Sequence, residues 1–158
     1  MENDQKGAAV RFPPPLIYLF ALSSAWGVNY FIPFAFFPIE WRFQSTVLIF
    51  IIGACIALAA VLKLHFSRTS IEPWKPTSQI VNSGVFGYSR NPIYLSFNLV
   101  GIAVAIYFNS AWMLFSLIPA TMIILRLVIA KEERYLANKF GQQYTDYCES
   151  VNRWWGRK

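Results

Sequence analysis

Apolar positions fall into four long uncharged or nearly uncharged runs separated by polar segments, and each run reads as a helix crossing a membrane. The first, Leu16 to Phe37, carries no charge and as a helix would cross a hydrocarbon core of about 30 Å. Pro13, Pro14 and Pro15 stop it from extending backward, while Pro33 and Pro38 predict a kink and an end. A cleaved signal peptide would have a shorter apolar run and a small-residue cleavage site. The second run, Thr46 to Leu64, has Lys63 and His65 near its end, where polar tips can reach the headgroups. Ile93 to Phe108 and Ala111 to Ala130 are joined by Asn109 and Ser110 alone, which predicts an antiparallel helical hairpin. Its first arm would span only roughly 24 Å if straight, so it thins the bilayer locally or starts below the surface. Pro119 predicts a kink in the second arm. Asn98, at hydrocarbon depth, should face other helices, either as packing glue or as lining of a substrate path.

Composition agrees with this pattern. Of 158 residues, 56% are apolar, 18% aromatic and 14% charged, whereas soluble domains carry about 25% charged residues. The predicted class is an all-α integral membrane protein with four transmembrane helices and a cytosolic C-terminal helical cap. Four spans place both termini on one side. Lys6, Arg11, Lys63, Arg68, Lys75, Arg90, Arg126, Lys131, Arg134, Lys139, Arg153, Arg157 and Lys158 fall on that side or in the 65–92 loop, and Arg42 alone falls opposite. The positive-inside rule then puts both termini and the loop in the cytoplasm. The net charge of +6 is thereby explained by topology and gives no support to a nucleic-acid partner. Cys55 and Cys148 lack metal-ligand spacing and read as free thiols, with no metal expected. His65, the single histidine, reads as an interfacial residue.

Three regions follow: a flexible N-terminal tail over 1–15, a four-helix transmembrane domain over 16–130 that includes a long loop over 66–92, and a helical cap over 131–158. The loop is polar, rich in Pro, Gly and Ser, and longer than a connector needs. It ends in Tyr88-Ser89-Arg90-Asn91-Pro92, where Pro92 can open the third span with its amides exposed to an anion. Arg90 adds a planar fork suited to a carboxylate, or to a lipid phosphate. In the cap, Leu136, Phe140, Tyr144, Tyr147 and Val151 form an apolar stripe at helical spacing, with a break predicted at Gly141. That stripe could lie on the bilayer with Trp154 and Trp155 as anchors and Arg153, Arg157 and Lys158 on anionic lipid. Glu132 and Glu133, adjacent acids beyond the fourth span, suit a cation or hydroxyl groups, unless Lys131 and Arg134 neutralise them as surface pairs.

The ordered set Thr69…Pro73…Pro76-Thr77…Ser83-Gly84…Tyr88-Ser89-Arg90-Asn91-Pro92-Ile93-Tyr94, then a hairpin, then Glu132-Glu133…Leu136…Phe140-Gly141…Tyr144…Tyr147…Val151…Arg153-Trp154 resembles the isoprenylcysteine carboxyl methyltransferase family. The wider group includes phospholipid N-methyltransferases and small-thiol S-methyltransferases. The resemblance covers about residues 69 to 155. It implies an integral membrane methyltransferase that uses S-adenosylmethionine, with Gly84, Tyr88, Arg90, Asn91, Pro92, Tyr94, Glu132 and Glu133 as cofactor residues. Val85-Phe86, Asn91, Ser96 and Asn152 depart from residues frequent in relatives, which bears on the acceptor rather than the cofactor.

The chemistry of that cofactor suits these side chains. Arg90 could hold its carboxylate, Glu132 or Glu133 its ammonium or hydroxyls, and Tyr88 or Tyr94 its sulfonium or adenine. No Gly-x-Gly-x-x-Gly follows a strand, so a soluble dinucleotide site is absent. Arg126 and Arg153 are candidates for orienting a substrate carboxylate, or else snorkelling cations. The expected acceptor is a lipophilic small molecule or prenylated substrate reached from membrane lipid, most simply an isoprenylcysteine-type carboxylate. A phospholipid amine or small thiol is the alternative enzyme substrate, and a non-catalytic membrane scaffold is the rival from another class. All the enzymatic readings require the end of the loop and the start of the cap to meet.

Overall fold

A computed structural model describes residues 7, 8, 10 and 12–158 of the chain. The chain is helical: α1 Pro14–Phe31, α2 Ile39–Phe66, α3 Pro92–Tyr107, α4 Ala111–Ile124, a π-helical stretch Leu125–Ile129, α5 Ala130–Phe140 and α6 Gln142–Ser150. Among the described residues there is no strand, only an isolated bridge between Val151 and Arg157. Lys6, Arg11 and most of the expected tail lie outside the described residues. Within that tail, the Ala8 amide donates to the Pro73 carbonyl at 2.9 Å, and Ala8 and Val10 are buried.

Two of the four expected spans are long and apolar enough to cross a membrane, Ile39–Phe66 and Ala111–Phe140, and α3 is a shorter apolar helix. Helix α1 stops at Phe31 because Pro33 disfavours helical backbone at Ile32; the Ile32 amide closes the last turn on Val28. Helix α2 starts directly after Pro38, so its first turns carry Glu40 and Arg42 ahead of the apolar run. Its Leu48, Phe50, Ile51, Ile52, Leu58 and Leu62 are exposed, as on a lipid-facing helix.

The chain divides into two compact units. One comprises Pro13–Cys55 and Tyr94–Ile124. Here α1 packs on α4 around Ala25, Ala105 and Met113, with Leu22, Val104, Trp112 and Leu114 beside them. The Asn109-Ser110 hairpin is as short as the sequence predicts, and Asn109 takes a positive φ of 48°. Its side-chain oxygen accepts from the Phe36 and Phe37 amides at 3.0 and 2.9 Å, tying the α1–α2 connection to the turn. Asn98 joins three helices. It donates to the Tyr18 hydroxyl at 2.9 Å and to the Tyr94 carbonyl at 3.0 Å, and accepts from Thr121 at 2.6 Å. This is the packing role, satisfied within the helices. An apolar groove of about 480 Å³ between α1 and α4 is lined by Phe20, Trp112, Phe115 and Pro119 among others and by no titratable side chain.

The other unit comprises Ile56–Ile93 and Leu125–Lys158 with the described residues 7, 8, 10 and 12. The long loop over 67–91 has one 3-10 turn, Gly84–Gly87. It is pinned by the Thr69 hydroxyl, which accepts from the Ser78 amide at 3.1 Å, and by the Tyr135 hydroxyl, which accepts from the Thr77 amide at 3.3 Å. The cap splits at Gly141, as its sequence predicts, with φ 53°. The stripe at helical spacing is buried within the protein: Tyr144, Tyr147 and Val151 cluster with Leu136, Phe140, Cys148 and the loop residue Ile80. Burying that face against the loop, rather than laying it on lipid, brings loop and cap together.

Candidate functional site

Arg90 belongs to the unit that contains the loop and the cap. Its guanidinium lies 3.3 Å from the Glu133 carboxylate, and the two side chains are only 11% and 19% exposed. Glu133 also accepts both arms of the Arg153 fork, from Nε at 2.9 Å and from Nη2 at 2.6 Å. That hydrogen-bonded carboxylate raises the Arg153 pKa above the ordinary arginine value, so Arg153 is cationic at any working pH. Arg90 Nη1 also donates to the Cys148 sulfur. Two guanidinium groups thus share one carboxylate, and the buried Arg90 Nε has no partner. An excess cationic charge and an unsatisfied buried donor fit a further carboxylate.

The loop residues around Arg90 are held by the segment that follows α6. The Arg90 amide donates to Asn152 at 3.1 Å, and the Gly156 amide donates to the Tyr88 carbonyl at 2.7 Å. Asn91 is buried; its amide donates to the Ser89 hydroxyl at 3.1 Å and its side chain to the Arg153 carbonyl at 3.1 Å. Pro92 opens α3 and is fully buried. Tyr88 is 51% exposed, stacks on Trp155 at 6.2 Å, and has the Arg157 guanidinium 5.3 Å over its ring. Gly84, with φ 64°, starts the 3-10 turn in a conformation that favours glycine.

The structure brings together Tyr88, Arg90, Asn91, Glu133 and Arg153. Arg153, expected to orient a substrate carboxylate, grips a carboxylate of the protein itself. Arg126 is exposed on the π-helical stretch. Glu132 is half-buried in the first turn of α5. Tyr94 belongs to the unit described first, where it is buried and its ring lies 6.3 Å from Phe97. Exposed His65, outside this cluster, packs against Phe66.

Three residues around Arg90 are not among those expected at a cofactor site. Cys148 reads as an isolated thiol, and Tyr144 and Tyr147, though part of the ordered set, read as an apolar stripe with no cofactor role, yet Cys148 accepts from Arg90 and both tyrosines lie close enough to feel its charge. Burial raises the Tyr144 and Tyr147 pKa values well above the ordinary tyrosine value, with Cys148 and Glu133 adding to the rise at Tyr144. Both hydroxyls therefore stay protonated, and that of Tyr147 donates to the Phe86 carbonyl at 2.7 Å. The i, i+4 spacing of Tyr144 to Cys148 was the available signal, since it puts the thiol on the buried face. Among the described residues no group of three or more His, Cys, Asp or Glu could hold a metal.

Comparison with known proteins agrees with the resemblance read from the motifs. Residues 41–143 match the model of the phospholipid methyltransferase family. Over 140 residues the chain is 27% identical to a protein-S-isoprenylcysteine O-methyltransferase of Tribolium castaneum, a match covering 85% of this chain and 50% of that protein. An uncharacterized protein of Haemophilus influenzae is 34% identical over 62 residues, 39% of this chain and 98% of its own length. The chain thus spans half the length of the Tribolium relative. Because the family match runs from the start of α2 to the start of α6, taking in both the Arg90 loop and Glu133, the chain belongs to the phospholipid methyltransferase family.

Proposed function

We propose that the protein is an S-adenosylmethionine-dependent integral membrane methyltransferase whose acceptor is lipophilic, most simply an isoprenylcysteine-type carboxylate. The observation that carries this reading is the Arg90–Glu133–Arg153 cluster, with one guanidinium incompletely satisfied, in a member of a methyltransferase family. When bound, S-adenosylmethionine supplies a methyl group activated by the sulfonium charge. Arg90 binds the cofactor's carboxylate through its unsatisfied face, and Glu133 fixes the orientation of that guanidinium. Glu132 holds the ammonium or ribose hydroxyls, and exposed Tyr88 offers an aromatic face to the adenine or the cation. Gly84, Asn91 and Pro92 shape the loop that carries Tyr88 and Arg90.

Positioning is the main contribution such a site makes, worth roughly 7–11 kcal/mol where reacting atoms are held in line. An acceptor carboxylate is already ionised at neutral pH and needs no general base. The protonated Tyr144 and Tyr147 suit that chemistry, since neither serves as a proton acceptor. Exposed Arg126 is available to orient the acceptor's carboxylate.

In this reading α1 and α3 join the two longer helices as four spans, and both termini and the cofactor site face the cytoplasm. The family description favours a second reading, methylation of a phospholipid amine, which would need a proton acceptor for the amine.

An acceptor panel tests the proposal. Protein in detergent micelles is given S-adenosylmethionine labelled in its methyl group, with farnesylcysteine analogues, phosphatidylethanolamine or alkyl thiols. Label in a farnesylcysteine product, released by alkali as expected of an ester, supports carboxyl methylation. Label in the phospholipid supports the second reading, and no cofactor binding in detergent or lipid overturns both.

A further inference from the structure

Arg153 is connected in two directions at once. Its side chain forks onto Glu133 in the first turn of α5. Its backbone carbonyl accepts from the Asn91 side chain at 3.1 Å and from the Ser89 hydroxyl at 3.5 Å, both in the loop that carries Arg90. The neighbouring tail repeats the pattern: Asn152 accepts from the Arg90 amide, Gly156 donates to Tyr88, and Arg157 Nε donates to the Gly87 carbonyl at 3.3 Å. Each residue from Gly87 to Asn91 therefore has a hydrogen bond to the segment 152–157. Ser89 and Gly87 are buried beneath it, so these bonds are shielded from competing water.

The fork has a second consequence. Glu133 faces two cations, and a carboxylate on a short stem can swing between them. Taking two bonds from Arg153 fixes both Glu133 oxygens, and the oxygen shared with Arg90 then stands in one place.

We infer that Arg153 is a positioning residue which, by tying the Ser89–Asn91 loop to Glu133, sets the orientation of Arg90 toward the methyl donor and does not itself touch the acceptor. The inference rests on the donor site proposed above. It separates two properties that an acceptor-binding arginine would combine: donor affinity depends on the fork, and acceptor affinity does not.

The test uses the full chain in detergent micelles and the variant Arg153→Lys, which keeps the charge and the backbone carbonyl and removes only the fork. Amide hydrogen exchange over residues 88–91 is measured without ligand, S-adenosylmethionine affinity by calorimetry, and acceptor KM at saturating donor. The expected result is faster exchange over 88–91, donor affinity lower by about tenfold, and unchanged acceptor KM. Asn91→Ala, which withdraws the shorter of the loop's two bonds to the Arg153 carbonyl, should give the same faster exchange and serves if Arg153→Lys does not fold. Wild-type exchange and donor affinity in these variants would overturn the inference, as would a raised acceptor KM with donor affinity unchanged. If the wild-type protein binds no S-adenosylmethionine, the donor reading falls, and the ligand-free exchange still decides whether Arg153 orders the loop.

Discussion

The Arg90 guanidinium stands 3.3 Å from the Glu133 carboxylate and joins the loop before α3 to the first turn of α5. Glu133 is the carboxylate that both Arg90 and Arg153 contact. In Glu133→Gln two guanidinium groups would face a neutral amide, and breaking a largely buried ion pair costs about 3 kcal/mol. Unfolding in detergent should register a loss of that order, and S-adenosylmethionine binding should fall with it. Wild-type stability and affinity in this variant would refute the role given to the pair.

Tyr147 is buried and donates to the Phe86 carbonyl. Tyr147→Phe removes that bond and leaves a carbonyl unsatisfied, at a cost of about 1–2 kcal/mol, read as a lower thermal midpoint.

The same tyrosines predict a pH effect. Burial raises the Tyr144 and Tyr147 pKa values, so the folded protein keeps protons that the unfolded chain releases. Their contribution to stability is complete below the ordinary tyrosine value of about 10 and is lost progressively as pH rises above it. Thermal midpoints should fall above about pH 10, and less steeply in Tyr144→Phe/Tyr147→Phe. An identical slope in the double variant would exclude these hydroxyls as the cause.

In the helical hairpin, a Cβ at Gly101 would meet Leu117 Cδ2 at 2.6 Å. Leu117 is buried, so accommodating the methyl means displacing a packed side chain, and Gly101→Ala should destabilise the protein by about 1–3 kcal/mol. Adding Leu117→Ala removes the obstacle, and the double variant should be more stable than the sum of the single losses predicts. Strict additivity in denaturation would contradict the close approach.

Asn98 links Tyr18, Thr121 and the Tyr94 carbonyl. Interhelical bonds of this kind are worth about 0.6 kcal/mol on average, so Asn98→Leu should lower the detergent unfolding midpoint modestly. A stabilised variant would show that the network is not holding the helices.

Much of the helical order was legible because uncharged runs and prolines bound it: Pro38, Pro92 and the Asn109-Ser110 turn mark real ends. Two expectations drifted where composition and hydrogen bonding part company. Helix α2 begins ahead of Thr46, since Glu40 and Arg42 disrupt an apolar run without disrupting a helix. Helix α1 ends before Phe37, since apolar residues around Pro33 continue the run but not the backbone. The π-helical stretch Leu125–Ile129 has no mark in the residue pattern. In the site, the motifs drew attention to Arg90 and Glu133, which are chemically conspicuous. They did not reveal that Arg153 would be taken up by Glu133, or that Cys148 would reach Arg90, because both contacts join residues well separated along the chain.

Gly141 decides that second convergence. Glu133 and Cys148 would lie about 22 Å apart along an unbroken helix, too far for one side chain to contact both. With φ at 53° and open space around the position where a Cβ would be, the break between α5 and α6 depends on backbone freedom rather than on crowding. The fold-back it permits lets one guanidinium reach an acid on one helix and a thiol on the next. A substitution that straightened this joint would dismantle the charge cluster from a distance, without altering any atom in contact with Arg90.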